Sequence, residues 1–414
     1  MSASFFRIAN LPPYPLGDIA ESVRDARLEG RDIIDLSQLN PDLKPPPVAV
    51  DKLVQATLQP HNHRYSSSQG ISAIRQSVAA WYQARYGVQV CADSEVVATL
   101  GTKEGLAHLL LAVLSPGETA LVPTPSYPMH TAAVFLAGAS VTGFQLFNSN
   151  DFFERLEKAW SQSWPRARVL IVSFPHNPTT TTVSKSFFER LVPFCKEREI
   201  YIIHDFAYAD LSYGETKAPS ILSVEGAKDI AVESYSLSKG MGLAGWRVGF
   251  FLGNPQLISA LKRIKSYLDF GAFQPLQIAV SELLSRPKSE IDEIVTETHS
   301  QYESRLETLS RGLAELGWEF SAPQATLFVW ARIPTQYRKL GSLAMTKKLL
   351  EAGVAVCPGE GFDPDARDFV RFSVTEPEQR IRLALEAMRM MSIKDSGETH
   401  SAFDANQAQN AANQ

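Results

Sequence analysis

The chain has 414 residues, 44% hydrophobic and 21% charged, an ordinary globular composition long enough for two or three domains with a sizeable core. Its 45 acidic and 40 basic residues leave a formal net charge of -5, and no Lys/Arg run forms a stripe, so nucleic acid is excluded as an expected partner. There is no stretch of about 18 apolar residues, and the start, Met1-Ser2-Ala3-Ser4-Phe5-Phe6-Arg7, carries no leader pattern, so no membrane partner and a cytoplasmic location are expected.

Between Val96 and Leu252 short β-branched runs at 96–100, 120–123, 169–173, 201–204, 231–235 and 247–252 alternate with helical stretches. Near-continuous apolar strands separated by helices predict a mainly parallel central sheet covered on both faces, an α/β three-layer sandwich with its chemistry at the carboxyl ends of the strands. After Asn254 the pattern turns to long helices, and a charged stretch over about 289–316 reads as the connector into a smaller α+β unit. That unit holds strand patterns at 327–331, 354–356 and 369–374, a helix near 342–352 and a closing helix to about 391. The polar end, from Asp395, is rich in Asn, Gln and Ala and is expected to be disordered. The expected division is 1–50 as an N-terminal arm and part of the small domain, 51–288 as the large domain, 289–392 as the small domain and 393–414 as a tail. Cys91, Cys195 and Cys357 are far apart and outside any metal-ligand spacing, so reduced thiols and no metal are expected.

Several strand ends carry chemistry. Leu100-Gly101-Thr102-Lys103-Glu104-Gly105 joins a strand to a helix whose first-turn N–H groups make an anion site, with Thr102 adding a hydroxyl and Lys103 a solvated head. Pro125-Ser126-Tyr127-Pro128 offers an aromatic for stacking. Asn177, in His176-Asn177-Pro178, has an amide at a strand end, though Asn-Pro is also a turn signal. Asp205, in His204-Asp205-Phe206-Ala207-Tyr208, is either a turn residue or a buried carboxylate needing a cation. Ser236-Leu237-Ser238-Lys239, eight residues before Arg247, sets an amine nucleophile beside two hydroxyls and a guanidinium, the groups that suit pyridoxal phosphate. Arg371, flanked by alternating apolar residues, either reaches solvent or meets a buried anion such as a substrate carboxylate.

Together, Tyr65, Gly101-Thr102-Lys103, Tyr127, Asn177-Pro178, Asp205 with Tyr208, Ser236-x-Ser238-Lys239, Arg247 and Arg371 resemble the class I/II aminotransferases of the fold-type I pyridoxal phosphate enzymes, over about residues 10–392. Arg64-Tyr65-Ser66-Ser67-Ser68-Gln69-Gly70-Ile71, Leu100 to His108, Ile264-Lys265-Ser266-Tyr267 and Pro275-Leu276-Gln277 are similar to the bacterial glutamate-pyruvate (alanine) aminotransferase branch, related to LL-diaminopimelate aminotransferases. The resemblance implies an aspartate aminotransferase-like fold whose small domain comes from the N- and C-terminal segments. It implies pyridoxal 5'-phosphate as cofactor, with Lys239, Asp205 and Tyr127 catalytic: Lys239 attaching it and moving the proton, Asp205 pairing with the pyridinium nitrogen and Tyr127 stacking on the ring. Asn177 and Tyr208 would hold the phenolic oxygen, and Gly101, Thr102, Lys103, Ser236, Ser238 and Arg247 would belong to the cofactor site. Tyr65 would reach the partner subunit's cofactor, which implies a homodimer with shared active sites. Arg371 would take the substrate carboxylate, with Asn177, Leu39 and Tyr14 on the substrate side.

Three departures from the family pattern concern the substrate. Leu39, in Ser37-Gln38-Leu39-Asn40-Pro41-Asp42, stands where relatives carry glycine, so a side chain is expected to crowd the pocket, with strain if the backbone needs positive φ. His176, followed by Thr179-Thr180-Thr181-Thr182, is either an extra pocket group or a packed histidine. Ala272-Phe273-Gln274 lacks the branch's usual hydroxyls. The expected function is transfer of an amino group between an alanine-like or other small to medium L-amino acid and a 2-oxo acid such as 2-oxoglutarate or pyruvate, with ping-pong kinetics. A lyase or decarboxylase using the same cofactor is the alternative, favoured by Leu39. A non-catalytic regulator is a third, for which the roughly ten residues before the resemblance leave no room for a DNA-binding module.

Overall fold

The computed structural model describes residues 5, 8, 11, 14–146, 152–214 and 217–396. Its strands are β1 (Ile34–Asp35), β2 (Val96–Thr99), β3 (Thr119–Thr124), β4 (Ser140–Gln145), β5 (Val169–Ser173), β6 (Tyr201–Phe206), β7 (Ala231–Ser236), β8 (Gly249–Gly253), β9 (Phe328–Arg332), β10 (Val354–Ala355), β11 (Cys357–Pro358) and β12 (Phe369–Ser373). Seven of them form one sheet in the order β2-β8-β7-β6-β5-β3-β4. All run parallel except β8, which is antiparallel to both neighbours.

Adjacent residues of the central strands point to opposite faces, and both faces are apolar because helices cover both. Leu170, Ile202 and Phe250 pack on one face with helices Ser72–Tyr86, Phe152–Gln162, Lys185–Glu197 and Gln274–Leu284. Their neighbours Ile171, Ile203 and Phe251 pack on the other with helices Thr102–Val113, Pro128–Leu136 and Pro255–Leu268. The α/β layering read from the sequence is therefore present. One strand of this sheet escaped the sequence reading: β4 lies at the sheet edge, buries only Phe144 among its six residues, and so shows no apolar run.

A second, smaller core surrounds the three-stranded antiparallel sheet β11-β12-β9. Tyr302, Leu306, Leu309 and Leu313 of helix Lys288–Glu315 pack there with Phe328, Phe372 and Ile381. The N-terminal segment joins this unit: β1 pairs with β10, and Leu36 bonds the backbone of Ala355 and Ser373 at 2.8 Å each. The closing helix, Glu378–Ser396, runs five residues past the expected Met391. Asp395 anchors its last turn by accepting hydrogen bonds from Tyr337 Oη (2.7 Å) and Lys348 Nζ (2.9 Å). The rest of the expected tail, 397–414, lies outside the described residues. No described helix is long and apolar enough to cross a membrane.

One buried polar group ties three parts of the large core together. Glu233 on β7 is fully buried, and its carboxylate accepts hydrogen bonds from Tyr82 Oη (2.9 Å), Ser220 Oγ (2.7 Å) and the Ile221 N–H (3.0 Å), and meets His204 Nδ1 at 2.8 Å. Removing one member of such a network strands the others without partners. Glu233→Ala is expected to cost about 3 kcal/mol or more, measured as a lower urea midpoint with an unchanged slope.

Candidate active site

Because β8 alone is reversed, its start and the ends of β2, β3, β5, β6 and β7 meet at one edge of the sheet. A cavity of about 1070 Å³ lies along this edge, lined by Thr102 after β2, Tyr127 after β3, Asn177 after β5, Asp205 and Tyr208 at the end of β6, Lys239 after β7 and Arg247 before β8. Arg371 of β12 and the segment 37–42 line it from the smaller unit. The substrate-side candidates Tyr14 and Leu39 also line it.

One end of the cavity suits an anion. Thr102 opens a helix whose first-turn N–H groups have no intrahelical acceptor, and the Ser236 and Ser238 side chains lie on the same wall. Ser236 Oγ also accepts the Ser238 N–H at 3.2 Å, capping the short helix Leu237–Gly240. The Arg247 guanidinium donates only to carbonyls, Ala244 O at 3.0 Å and Leu100 O at 3.5 Å, and makes no ion pair among the described residues. Its backbone sits in the left-handed region at φ 55, an uncommon conformation for a residue with a side chain. Gly101 is required on two counts: its φ is +79, and a Cβ there would come 2.2 Å from Arg247 Nη2. Lys103 is exposed, in keeping with a solvated head, and also lines the cavity with its ammonium 5.3 Å from the centre of the Tyr14 ring.

Lys239 Nζ donates to the backbone oxygen of Leu39. Desolvation, then the charges of Arg371 and Arg247, push its ammonium down to about 7. A good share of the side chain is thus a neutral amine near neutral pH, able to act as nucleophile or base. Asp205 stands nearby: Oδ1 accepts from Ser234 Oγ (3.1 Å) and the Ala207 N–H (3.3 Å), and Oδ2 lies 3.0 Å from His130 Nε2. Burial pushes its carboxyl up, but the bond to His130 and the charge there, with help from Ser234 and His204, outweigh burial and hold it below the usual range. It is an anion at neutral pH, poised for a cationic partner.

At the opposite end Arg371 is 2% exposed, donates to Asn177 Oδ1 (2.9 Å) and Ser37 O (3.0 Å), and lies over the rings of Phe362 and Phe328 at 4.8 and 5.3 Å. Its buried Nε has no partner and it makes no ion pair among the described residues. A buried guanidinium without a carboxylate calls for one from outside. Of the two alternatives read from the sequence, the buried one holds. Asn177, 4% exposed, also bonds Tyr208, whose hydroxyl burial pushes well up. Tyr127 stands half-buried between these groups, edge-on to His130 at 5.6 Å.

One site residue was missed in the sequence, and two points left open there are decided by the structure. His130, which that reading missed, links Ser126 Oγ (2.7 Å from Nδ1) to Asp205; its only signal was a position three residues beyond Tyr127 on the same helix. His176 does not line the cavity: it is buried, bonds Thr179 Oγ1 at 2.8 Å, and burial drives its pKa down to about 3. Leu39 lines the pocket as expected, and it is not among the positive-φ residues, so the condition for backbone strain is not met. Tyr65 is 84% exposed and outside its own chain's cavity, against Phe270 at 4.5 Å.

Residues 31–388 match the family model for aminotransferase class I and II. The chain is 46% identical over 392 residues to the glutamate-pyruvate aminotransferase AlaC of Escherichia coli, covering 94% of each. It is 38% identical over 380 residues to the LL-diaminopimelate aminotransferase of Nitratidesulfovibrio vulgaris, covering 92% of this chain and 96% of that one. Among solved structures, substrate-bound BacF of Bacillus subtilis superposes with a TM-score of 0.88 at 31% identity, over 94% of this chain and 98% of the other.

The Lys239 environment predicts a pH profile for the protein without added ligand. Acylation of Lys239, followed by peptide mass spectrometry, should rise with pH through a midpoint near 7, as the ammonium gives way to the amine, against about 10.4 for an exposed lysine. Arg371→Met should move the midpoint up, because one opposing charge is gone.

Proposed function

The chain belongs to the class I and II aminotransferases, and from that premise we propose that it binds pyridoxal phosphate around Lys239 and exchanges an amino group between a small or medium L-amino acid and a 2-oxo acid such as 2-oxoglutarate or pyruvate. The observation that carries the reading is a lysine with a pKa near 7 set between an anion cradle and a carboxylate-free buried arginine in one cavity. The small-amino-acid reading leans on the glutamate-pyruvate relative at 46% identity.

The residues present fit the cofactor. The open first turn at Thr102, the Ser236 and Ser238 hydroxyls and the unpaired Arg247 suit a phosphate, and the clearance at Gly101 keeps that guanidinium in place. Ionised Asp205 suits a protonated ring nitrogen, Asn177 and Tyr208 a phenolic oxygen, Tyr127 a ring face, and Lys103 the same cavity's negative charge. When bound, pyridoxal phosphate supplies an electron sink for the pair left as the substrate's α-hydrogen departs. The protein's own groups do the rest. Arg371 binds the α-carboxylate and fixes the substrate's orientation, with its unpaired Nε–H as an available donor. Lys239 Nζ, neutral near pH 7, takes the α-proton and returns it. Ser126 and His130 position Asp205 and keep it charged. Two half-reactions through one site give ping-pong kinetics.

The proposal includes a homodimer with shared active sites. Tyr65 with Phe270, and Tyr267 and Phe273 in the adjoining segment, make an exposed aromatic patch of the kind that marks an interface, and Tyr65 would serve the partner's phosphate end. We assign residues 51–288 to the cofactor domain, and 1–50 with 289–392 to the smaller one, in a cytoplasmic enzyme whose three cysteines are unpaired.

Protein reconstituted with pyridoxal phosphate should show a visible cofactor absorbance that Lys239→Ala abolishes; a protein that takes up none would end the reading. Amino acid added without oxo acid should convert that absorbance to a stable amine form, whereas release of ammonia or carbon dioxide with the band restored would mean elimination or decarboxylation instead. Sedimentation equilibrium should give the mass of two chains, and Tyr65→Ala should weaken cofactor retention without changing that mass.

A further inference from the structure

Resting on the aminotransferase reading, we infer that Leu39 sets the substrate class: its side chain is an apolar wall that restricts the amino donor to small side chains. The inference starts from two backbone contacts. The oxygen of Ser37 accepts from Arg371 Nη2 at 3.0 Å, and the oxygen of Leu39, two residues on, accepts from Lys239 Nζ. One short segment therefore spans the group that holds a substrate's carboxylate and the group that works at its α-carbon. A substrate anchored at both points stands against this segment, and Leu39 is its apolar member lining the cavity.

The wall is fixed in place. Asp42 binds Arg305 through two bonds, 2.7 and 2.9 Å, Thr375 Oγ1 donates to Gln38 O at 2.9 Å, and Ser37 is tied to Asp35 Oδ1 through its N–H (2.9 Å) and hydroxyl (2.6 Å). Leu39 is half-buried, packs against the smaller unit's core and has ordinary backbone geometry, so its side chain is held rather than free to swing out. A fixed apolar wall penalises each added carbon of a substrate side chain, and pockets discriminate single methylenes by roughly 10-fold or more.

The test uses the full-length holoenzyme with 2-oxoglutarate as acceptor and a series of donors, L-alanine, L-2-aminobutyrate, L-norvaline and L-leucine. In the wild type kcat/KM should fall along the series. Leu39→Ala should raise the norvaline-to-alanine ratio by about 10-fold or more, while Leu39→Met, of similar volume, should leave it near the wild-type value. An unchanged ratio in a Leu39→Ala enzyme that still transaminates alanine overturns the role of Leu39 and leaves the aminotransferase reading standing. A wild type that is as fast on norvaline as on alanine overturns it too. A cofactor-loaded wild type that takes amino groups from no amino acid overturns the reading beneath it, and the inference with it.

Discussion

Two arginines without a paired carboxylate govern the cavity. Arg371 and Arg247 both line it and neither makes an ion pair among the described residues, while the carboxylate of Asp205 is already engaged by His130, Ser234 and a backbone N–H. Two consequences follow from that imbalance. Lys239 gives up its proton near pH 7, because a third cation in a desolvated pocket is disfavoured. The cavity also attracts anions at both ends, a phosphate-like group beside Thr102 and a carboxylate beside Arg371.

The scaffold exists to hold that imbalance still. Lys239 lies in the four-residue helix Leu237–Gly240, whose last residue approaches Asp210 so closely that a Cβ on Gly240 would come 2.5 Å from its Cβ. Asp210 is in turn fixed by Tyr235 Oη and by Arg85, which also binds Asp292 at 3.0 Å. His204, one residue before Asp205, and Glu233, three before Ser236, lock β6 to β7 below the site. Polar groups buried this deeply are costly unless every one is satisfied, and in return they leave little freedom for the atoms above them.

The two arginines answer to different parts of the chain. Arg247 belongs to the loop before β8, while Arg371 belongs to the small sheet and reaches the cavity beside the segment 37–42. The distance between anion-binding ends is thus set by how the smaller unit is pinned to the larger. The Arg305–Asp42 pair joins the long helix to that segment, and Lys239 joins the segment to the sheet.

The sequence by itself determined the layered fold and the local half of the site. Runs such as Val169–Ser173 are buried on both faces and so leave an unbroken apolar mark, whereas the edge strand β4 has only Phe144 buried and leaves none. Gly101-Thr102 and Ser236-x-Ser238-Lys239 were legible because their chemistry needs only neighbours along the chain: a turn, a helix start, a cap. Contacts between distant positions were decided by the tertiary structure alone. His130 meets Asp205 from 75 residues away, and Leu39 meets Lys239 across 200. The proton state of Lys239 likewise depends on desolvation and on charges carried by β12 and the β8 loop, none of which any local pattern records. Spacing along a chain encodes which groups share a turn; burial and the field at one atom arise only once the whole chain has packed around it.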